Sequence, residues 1–203
     1  MTAENKTMVL DLCCGLGGFS QAFQNDPRYF VITVDIEPRF RPTLVWDVTD
    51  VPGLLQAIDM LDKPKETFDL ILCSPPCIEF ARIGMPWIKY DKTEPDMSIV
   101  LACKKIISTF NPPFWVMENT MHGKKWICPL IGDYRIKLGP YYFWGEFPLF
   151  DCHVEWKKNK DVWSTNPDRS AIRAKLPMEL SMALRNASEN QTTLMGWLEF
   201  VEG

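Results

Sequence analysis

The feature that most constrains this chain is a short apolar run that stops abruptly in glycines. Met8-Val9-Leu10-Asp11-Leu12-Cys13 has the length and character of a buried strand, and Cys14-Gly15-Leu16-Gly17-Gly18-Phe19 follows at once. Glycines let the backbone turn tightly and let a ligand approach it closely. A helix opening after the turn aims its first amides at that ligand, and Phe19 to Asn25 reads as that helix. Strand, glycine turn and helix in this order point to an α/β fold with a binding site at the carboxyl end of the strand.

The same alternation continues. Phe30 to Asp35 is a β-branched second strand and Thr43 to Trp46 a short third. Val51 to Leu61 spaces Leu54, Leu55, Ile58 and Leu61 as a helix does. Phe68 to Cys73 is a fourth strand, stopped by Pro75-Pro76. Pro95 to Phe110 reads as a helix with Ile99, Cys103, Ile106 and Ile107 on one face. Phe114 to Glu118 is a fifth strand. Such alternation implies a parallel sheet with right-handed crossovers. Beyond it, Tyr141 to Phe150 is aromatic and strand-like, His153 to Asn166 reads as a polar loop, and Leu176-Pro177 opens a helix running through Leu184 towards Leu198. No repeat, low-complexity tract or linker interrupts the 203 residues. The expectation is one domain over 1–203, with binding and catalytic motifs in 1–120 and closing strands, a basic tryptophan-bearing loop and a last helix in 121–203.

Composition narrows the class. Hydrophobic residues at 46% suffice for a full core, and no apolar run is long enough to cross a bilayer. The first residues lack the apolar stretch of a signal peptide, so no membrane partner and a cytoplasmic location (a bacterium or a phage-infected host) are expected. The seven cysteines, an odd number set largely in apolar runs, suit reduced thiols. Their spacing suits no zinc knuckle, and no metal is expected. A net charge of −4 argues against strong autonomous affinity for duplex DNA. Lys157, Lys158, Lys160, Arg169, Arg173 and Lys175 nevertheless gather in one stretch, either as a solvated loop or as a phosphate-contacting edge.

Carboxylates around the glycine turn suggest the ligand. Asp11 would repel a pyrophosphate and welcome an ammonium group. No Gly-Lys-Ser/Thr follows, which excludes a phosphate-binding P-loop. Asp35, ending the second strand, is placed for ribose hydroxyls, and Asp47 for an adenine amine. Alone, each is also an ordinary cap or turn residue. Together they fit a nucleoside carrying an amino-acid tail, which is S-adenosylmethionine.

The fourth strand delivers Ser74-Pro75-Pro76-Cys77. Most buried cysteines are small apolar residues, but Cys77 lies past a strand on a rigid turn. The fifth strand ends in Glu118-Asn119, where desolvation raises a carboxyl pKa. A thiolate can attack C6 of a cytosine while a protonatable carboxyl binds N3 and the exocyclic amine. C5 then becomes nucleophilic enough to take a methyl group.

These segments resemble those of the DNA cytosine-C5 methyltransferases. Asp11 to Ser20 is similar to the first motif of that family, and Val34-Asp35-Ile36-Glu37-Pro38 to the second. Ser74-Pro75-Pro76-Cys77 with Phe80-Ala81 resembles the catalytic motif, and Glu118-Asn119-Thr120 the Glu-Asn-Val motif. Tyr142 to Gly145 and Lys175 to Leu180 resemble tail segments of compact bacteriophage members. The resemblance implies a class I S-adenosylmethionine-dependent methyltransferase fold, Rossmann-like, with a mostly parallel central sheet and helices on both faces. It implies a cofactor site of Asp11, Leu12, Cys13, Gly15, Gly17, Gly18, Phe19, Asp35, Ile36, Asp47, Ser74 and Pro75. The chemistry would fall to Cys77, Glu118, Asn119 and Arg82, with the C-terminal helix packed back near the cofactor.

Two departures stand out. The family's Gln-x-Arg-x-Arg segment, whose arginine assists the target base, has no counterpart. Arg82, Arg169 and Arg173 are candidates, with Arg82 favoured for its closeness to Cys77. The 203 residues are also expected to leave no room for the usual target recognition domain. Single- or double-stranded DNA is the expected partner, with a homodimer or another protein supplying recognition, and Trp126, Trp144, Trp156 and Trp163 as possible stacking platforms. Trp144 reads better as core. The competing readings are an RNA or amino-group nucleobase methyltransferase on the same scaffold and a SAM-binding module of a larger assembly.

Overall fold

A computed structural model describes residues 6–83, 94–154, 166 and 168–202, with backbone alone for 82–83 and 192–202. Seven strands form one sheet in the order β3-β2-β1-β4-β5-β7-β6. β1 (Thr7–Leu12), β2 (Tyr29–Asp35), β3 (Leu44–Val45), β4 (Leu70–Cys73) and β5 (Phe114–Thr120) are parallel to their neighbours. β6 (Ile136–Leu138) and β7 (Tyr141–Glu146) form a hairpin whose second strand runs antiparallel to β5. The expected mostly parallel sheet is therefore present. Its two central apolar runs, β1 and β4, are buried on both faces, as parallel strands require.

Side chains alternate between two cores. Met8, Leu10, Leu12, Ile71, Cys73 and Met117 face α2 (Val51–Asp59), α4 (Ser98–Phe110) and α5 (Lys124–Ile131). Val9, Leu70, Leu72, Val116 and Phe143 face Phe23 of α1 (Gln21–Gln24) and Leu180 and Leu184 of α7 (Met178–Glu202). Helices thus cover both faces. Ser181 fastens α7 to α1: its hydroxyl donates to the Phe19 carbonyl (2.6 Å) and accepts from the Ala22 amide (3.0 Å). None of the helices in the described residues is long and apolar enough to cross a membrane.

Several boundaries depart from expectation. The first helix spans only Gln21–Gln24, because Gly15 and Gly17 hold left-handed φ angles of 51° and 68° and the turn runs on to Ser20. α4 starts at Ser98 rather than Pro95, since the Asp96 carboxylate accepts from the Ser98 amide (2.8 Å) in a turn ahead of it. Short helices α3 (Ile78–Ile83) and α6 (Arg169–Ala174) and helix α5 were not expected. Trp144 is fully buried, as its core reading required, and Trp126 is half-buried. Trp156, Trp163, Lys157, Lys158 and Lys160 lie outside the described residues.

Candidate active site

Two turns leave the crest of the sheet side by side. The Cys14 amide donates to the Val34 carbonyl (3.0 Å) and the Ser74 amide to the Leu12 carbonyl (3.1 Å). Both turns therefore stay pinned to neighbouring strands as they depart. Strand alternation puts Asp11, Thr33, Asp35, Glu118 and Thr120 on the face shared by α1 and α7.

Asp11 is fully buried under the glycine turn. Its Oδ2 accepts from the Ser20 hydroxyl (2.5 Å), while Oδ1 is buried without a partner among the described residues. Burial pushes its pKa up to about 7; the Ser20 bond opposes the rise and the charge of Asp35 adds to it. Open space surrounds Gly15 where a Cβ would stand. A recess of about 270 Å³ runs from Cys14 to Gly17 past Thr33 to Arg41. An orphaned carboxylate oxygen beneath an accessible glycine backbone fits a cationic amino-acid tail. The residues present thus suit S-adenosylmethionine at this end.

Other expected cofactor contacts have different surroundings. Phe19 is 2% exposed and packs on Phe143 in the core, and Leu12 is fully buried. A Cβ on Gly18 would lie 2.6 Å from the Leu176 amide nitrogen, so this glycine serves packing against the α6–α7 connection. Asp35 accepts from the Gly15 amide (2.8 Å) and the Glu37 amide (2.9 Å), which makes it the tie between glycine turn and β2. Ile36 beside it is 61% exposed. Asp47 accepts from the Thr49 amide (2.9 Å) and hydroxyl (2.7 Å) in an exposed turn. Cys13 holds a left-handed φ of 59° and packs against the opposite core. Pro75 is buried, and its carbonyl accepts from Asn119 Nδ2 (2.9 Å). Asn119 accordingly fastens the Pro75-Pro76 turn to β5.

At the other end of the crest stand Cys77 and Glu118. Burial pushes the Glu118 carboxyl up to about 8. The Ser74 hydroxyl lies near enough to oppose that rise, yet falls short of hydrogen-bond geometry and is itself buried without a partner among the described residues. Cys77 is half-buried, and its thiol is pushed up by burial and then by the charge of Glu118, against a lowering influence from the Arg173 guanidinium. Thiol and carboxyl therefore share one electrostatic environment. Of the three candidate arginines, Arg173 on α6 acts on Cys77. The Arg82 side chain lies outside the described residues. An ion pair from Asp168 to Arg39 (2.9 Å) fixes the start of α6 beside β2, and Leu176 against Gly18 fixes the chain just past its end.

Sequence reasoning missed Tyr141. The antiparallel register sets it opposite Thr120. Its hydroxyl is pushed up to about 12 by burial and then by the charges of Glu118 and Cys77. Only the fold places β7 beside β5, so the sole signal in the sequence was an aromatic pair after Gly139-Pro140.

The family model for C-5 cytosine-specific DNA methylases matches residues 7–122. That stretch contains β1 through the Glu118-Asn119 strand end, and hence both ends of the crest. This chain belongs to that family. Among curated proteins, it is 25% identical to the type II methyltransferase M.DdeI of Desulfomicrobium norvegicum, over 56% of this chain and 28% of that protein. It is 28% identical to the mouse (Mus musculus) tRNA (cytosine(38)-C(5))-methyltransferase, over 55% of this chain and 28% of the relative. It is 27% identical to M1.HphI of Haemophilus parahaemolyticus, over 54% and 31%. The C-5 methylase match thus spans less than a third of each relative's length. A solved prophage-encoded DNA modification methyltransferase of E. coli superposes on 70% of this chain and 47% of its own, with a TM-score of 0.46 and 20% identity.

Proposed function

We propose that this chain transfers a methyl group from S-adenosylmethionine to C5 of cytosine in DNA, through a covalent bond between Cys77 and C6. The observation that carries the reading is Glu118, a buried carboxyl that still holds its proton at neutral pH, within electrostatic reach of the Cys77 thiol at the adjacent strand end. Cys77 gives up its proton to water, favoured by the Arg173 guanidinium, and its sulfur forms the bond to C6. The C5–C6 π pair shifts into the ring towards N3, which takes the Glu118 proton, leaving a neutral enamine with its electron density at C5. The cofactor supplies a sulfonium methyl as the electrophile for that carbon. Loss of the C5 proton to solvent then re-forms the double bond and expels Cys77, while the N3 proton returns to Glu118. Asn119 keeps the thiol turn in place through the Pro75 carbonyl, and Asp11 meets the cationic tail of the cofactor.

The same base chemistry serves RNA, and one relative is named a tRNA methyltransferase. A homodimer or a partner protein would supply target recognition. The deciding experiment incubates the protein and S-adenosylmethionine with DNA and RNA oligonucleotides carrying 5-fluorocytosine, whose C5 fluorine cannot leave as a cation. A denaturation-resistant adduct is expected with DNA and is expected to vanish in Cys77→Ala. Methylation that persists in Cys77→Ala would refute the covalent mechanism, and an adduct on RNA alone would move the substrate class.

A further inference from the structure

We propose that the Tyr141 hydroxyl, seconded by that of Thr120, donates to the O2 carbonyl of the target pyrimidine. The inference rests on the Cys77–Glu118 reading of the site.

Cytosine presents three polar groups along one edge: the amine at C4, the nitrogen N3 and the carbonyl O2. A protonated carboxyl can donate to N3 and accept from the amine. It then has nothing left for O2. Yet when sulfur adds to C6, negative charge spreads over N3 and O2 together. A site that flips a base out of its stack must also replace the hydrogen bonds of both ring positions. A donor for O2 is therefore required beside Glu118.

The β5–β7 ladder supplies one. Glu118 faces Phe143 and Thr120 faces Tyr141 across the strands. Directly opposite residues share a face, and so do residues two apart on one strand. Glu118, Thr120 and Tyr141 thus project from one side of the sheet, the side that also carries Ser74 and Asp11. Thr120 Oγ1 is buried with no hydrogen-bond partner among the described residues, as are Ser74 Oγ and Asp11 Oδ1. Buried hydroxyls are normally satisfied, so unpaired oxygens at the ends of β1, β4 and β5 mark ground that a polar ligand covers. Those at Ser74 and Thr120 flank Glu118. The Tyr141 hydroxyl is raised by burial and then by the charges of Glu118 and Cys77, which keeps its proton in place at working pH.

The test replaces the donor and the acceptor separately. In single-turnover methylation of an oligonucleotide, Tyr141→Phe is expected to slow the reaction about 10- to 100-fold, with S-adenosylmethionine affinity unchanged, and Thr120→Val about 3- to 10-fold. Replacing cytosine by 2-thiocytosine, whose sulfur accepts poorly, should slow the wild type by a similar factor and Tyr141→Phe scarcely further. A purely structural tyrosine would give losses that multiply, and that result overturns the inference, as does a Tyr141→Phe enzyme at the wild-type rate. A wild type that forms no Cys77-dependent adduct on 5-fluorocytosine overturns the underlying reading instead, so the two failures are distinguishable.

Discussion

The two ends of the sheet crest carry similar residues in opposite conditions. At the β2–β3 end, the carboxylates of Asp35 and Asp47 are already engaged by amides and a hydroxyl of their own turns. At the β4–β5 end, Ser74 and Thr120 have buried hydroxyls without partners among the described residues, and Glu118 is a buried acid lifted to about 8. The first end is a scaffold complete in itself. The second keeps buried polar atoms unpaired among the described residues, which is costly to the fold and therefore informative about function. Asp11 lies between them, with one oxygen satisfied and one not.

That contrast can be broken by substitution. The largest effect is expected for Glu118→Gln, which keeps the shape but cannot transfer a proton: adduct formation on 5-fluorocytosine should fall about 100- to 1000-fold, measured by rapid quench. A loss under about threefold would place Glu118 with the scaffold. Because Cys77 must lose its proton while Glu118 keeps its own, wild-type activity should rise with pH and stop rising near pH 8, where the Glu118 proton leaves.

Next is stability against pH. Asp11 and Glu118 have folded pKa values of about 7 and about 8, above their ordinary ranges. Between the ordinary and the raised values, the folded state holds a proton that the unfolded chain has released. Stability is thus greatest below the unfolded pKa and falls as pH climbs from about 4 to about 8, by at most about 5 kcal/mol for each carboxyl. Urea unfolding at pH 6 and pH 8.5 should show the loss, and Asp11→Asn or Glu118→Gln should flatten it. A slope unchanged in both variants would mean that neither carboxyl is desolvated.

Smaller effects belong to the scaffold end. Asp35→Asn weakens two charge-assisted bonds to amides and should destabilise by about 1–3 kcal/mol, read as a shifted urea midpoint. Asp47→Ala loses only an exposed turn and should cost about 0.5–1 kcal/mol with methylation unchanged. A collapse of S-adenosylmethionine affinity in Asp47→Ala would show that this carboxylate serves the ligand rather than the turn.

Legibility followed the distance over which each feature is specified. β1, β2, β4 and β5 were readable because an apolar run flanked by glycine or proline leaves a parallel strand little alternative. The places of Cys77 and Glu118 at strand ends were readable for the same reason: Glu118 follows the apolar residues 114–117 directly, and Cys77 lies four residues past Cys73, beyond Ser74-Pro75-Pro76. α5 was not, because Pro129 lies within Lys124–Ile131 and interrupts the donor pattern of a helix. α6 was hidden in a polar stretch that reads as loop, and with it the approach of Arg173 to Cys77. Gly18 looked like a ligand-facing glycine because its contact, Leu176, is remote in sequence. Tyr141 was invisible because its role depends on a hairpin returning antiparallel beside β5.

Gly145 gives that hairpin a memory for parity. It sits in β7 opposite Val116 with a φ of 133°, and a Cβ there would lie 2.1 Å from the Trp115 carbonyl oxygen. No other residue fits, so the far end of β7 is held in one place. Three residues separate this anchor from Tyr141. A single insertion or deletion among them turns Tyr141 to the opposite face, while a change of two returns it to the site. Lineages of this protein should therefore drift in length at the Gly139-Pro140 tip and, within the strand, only in even steps.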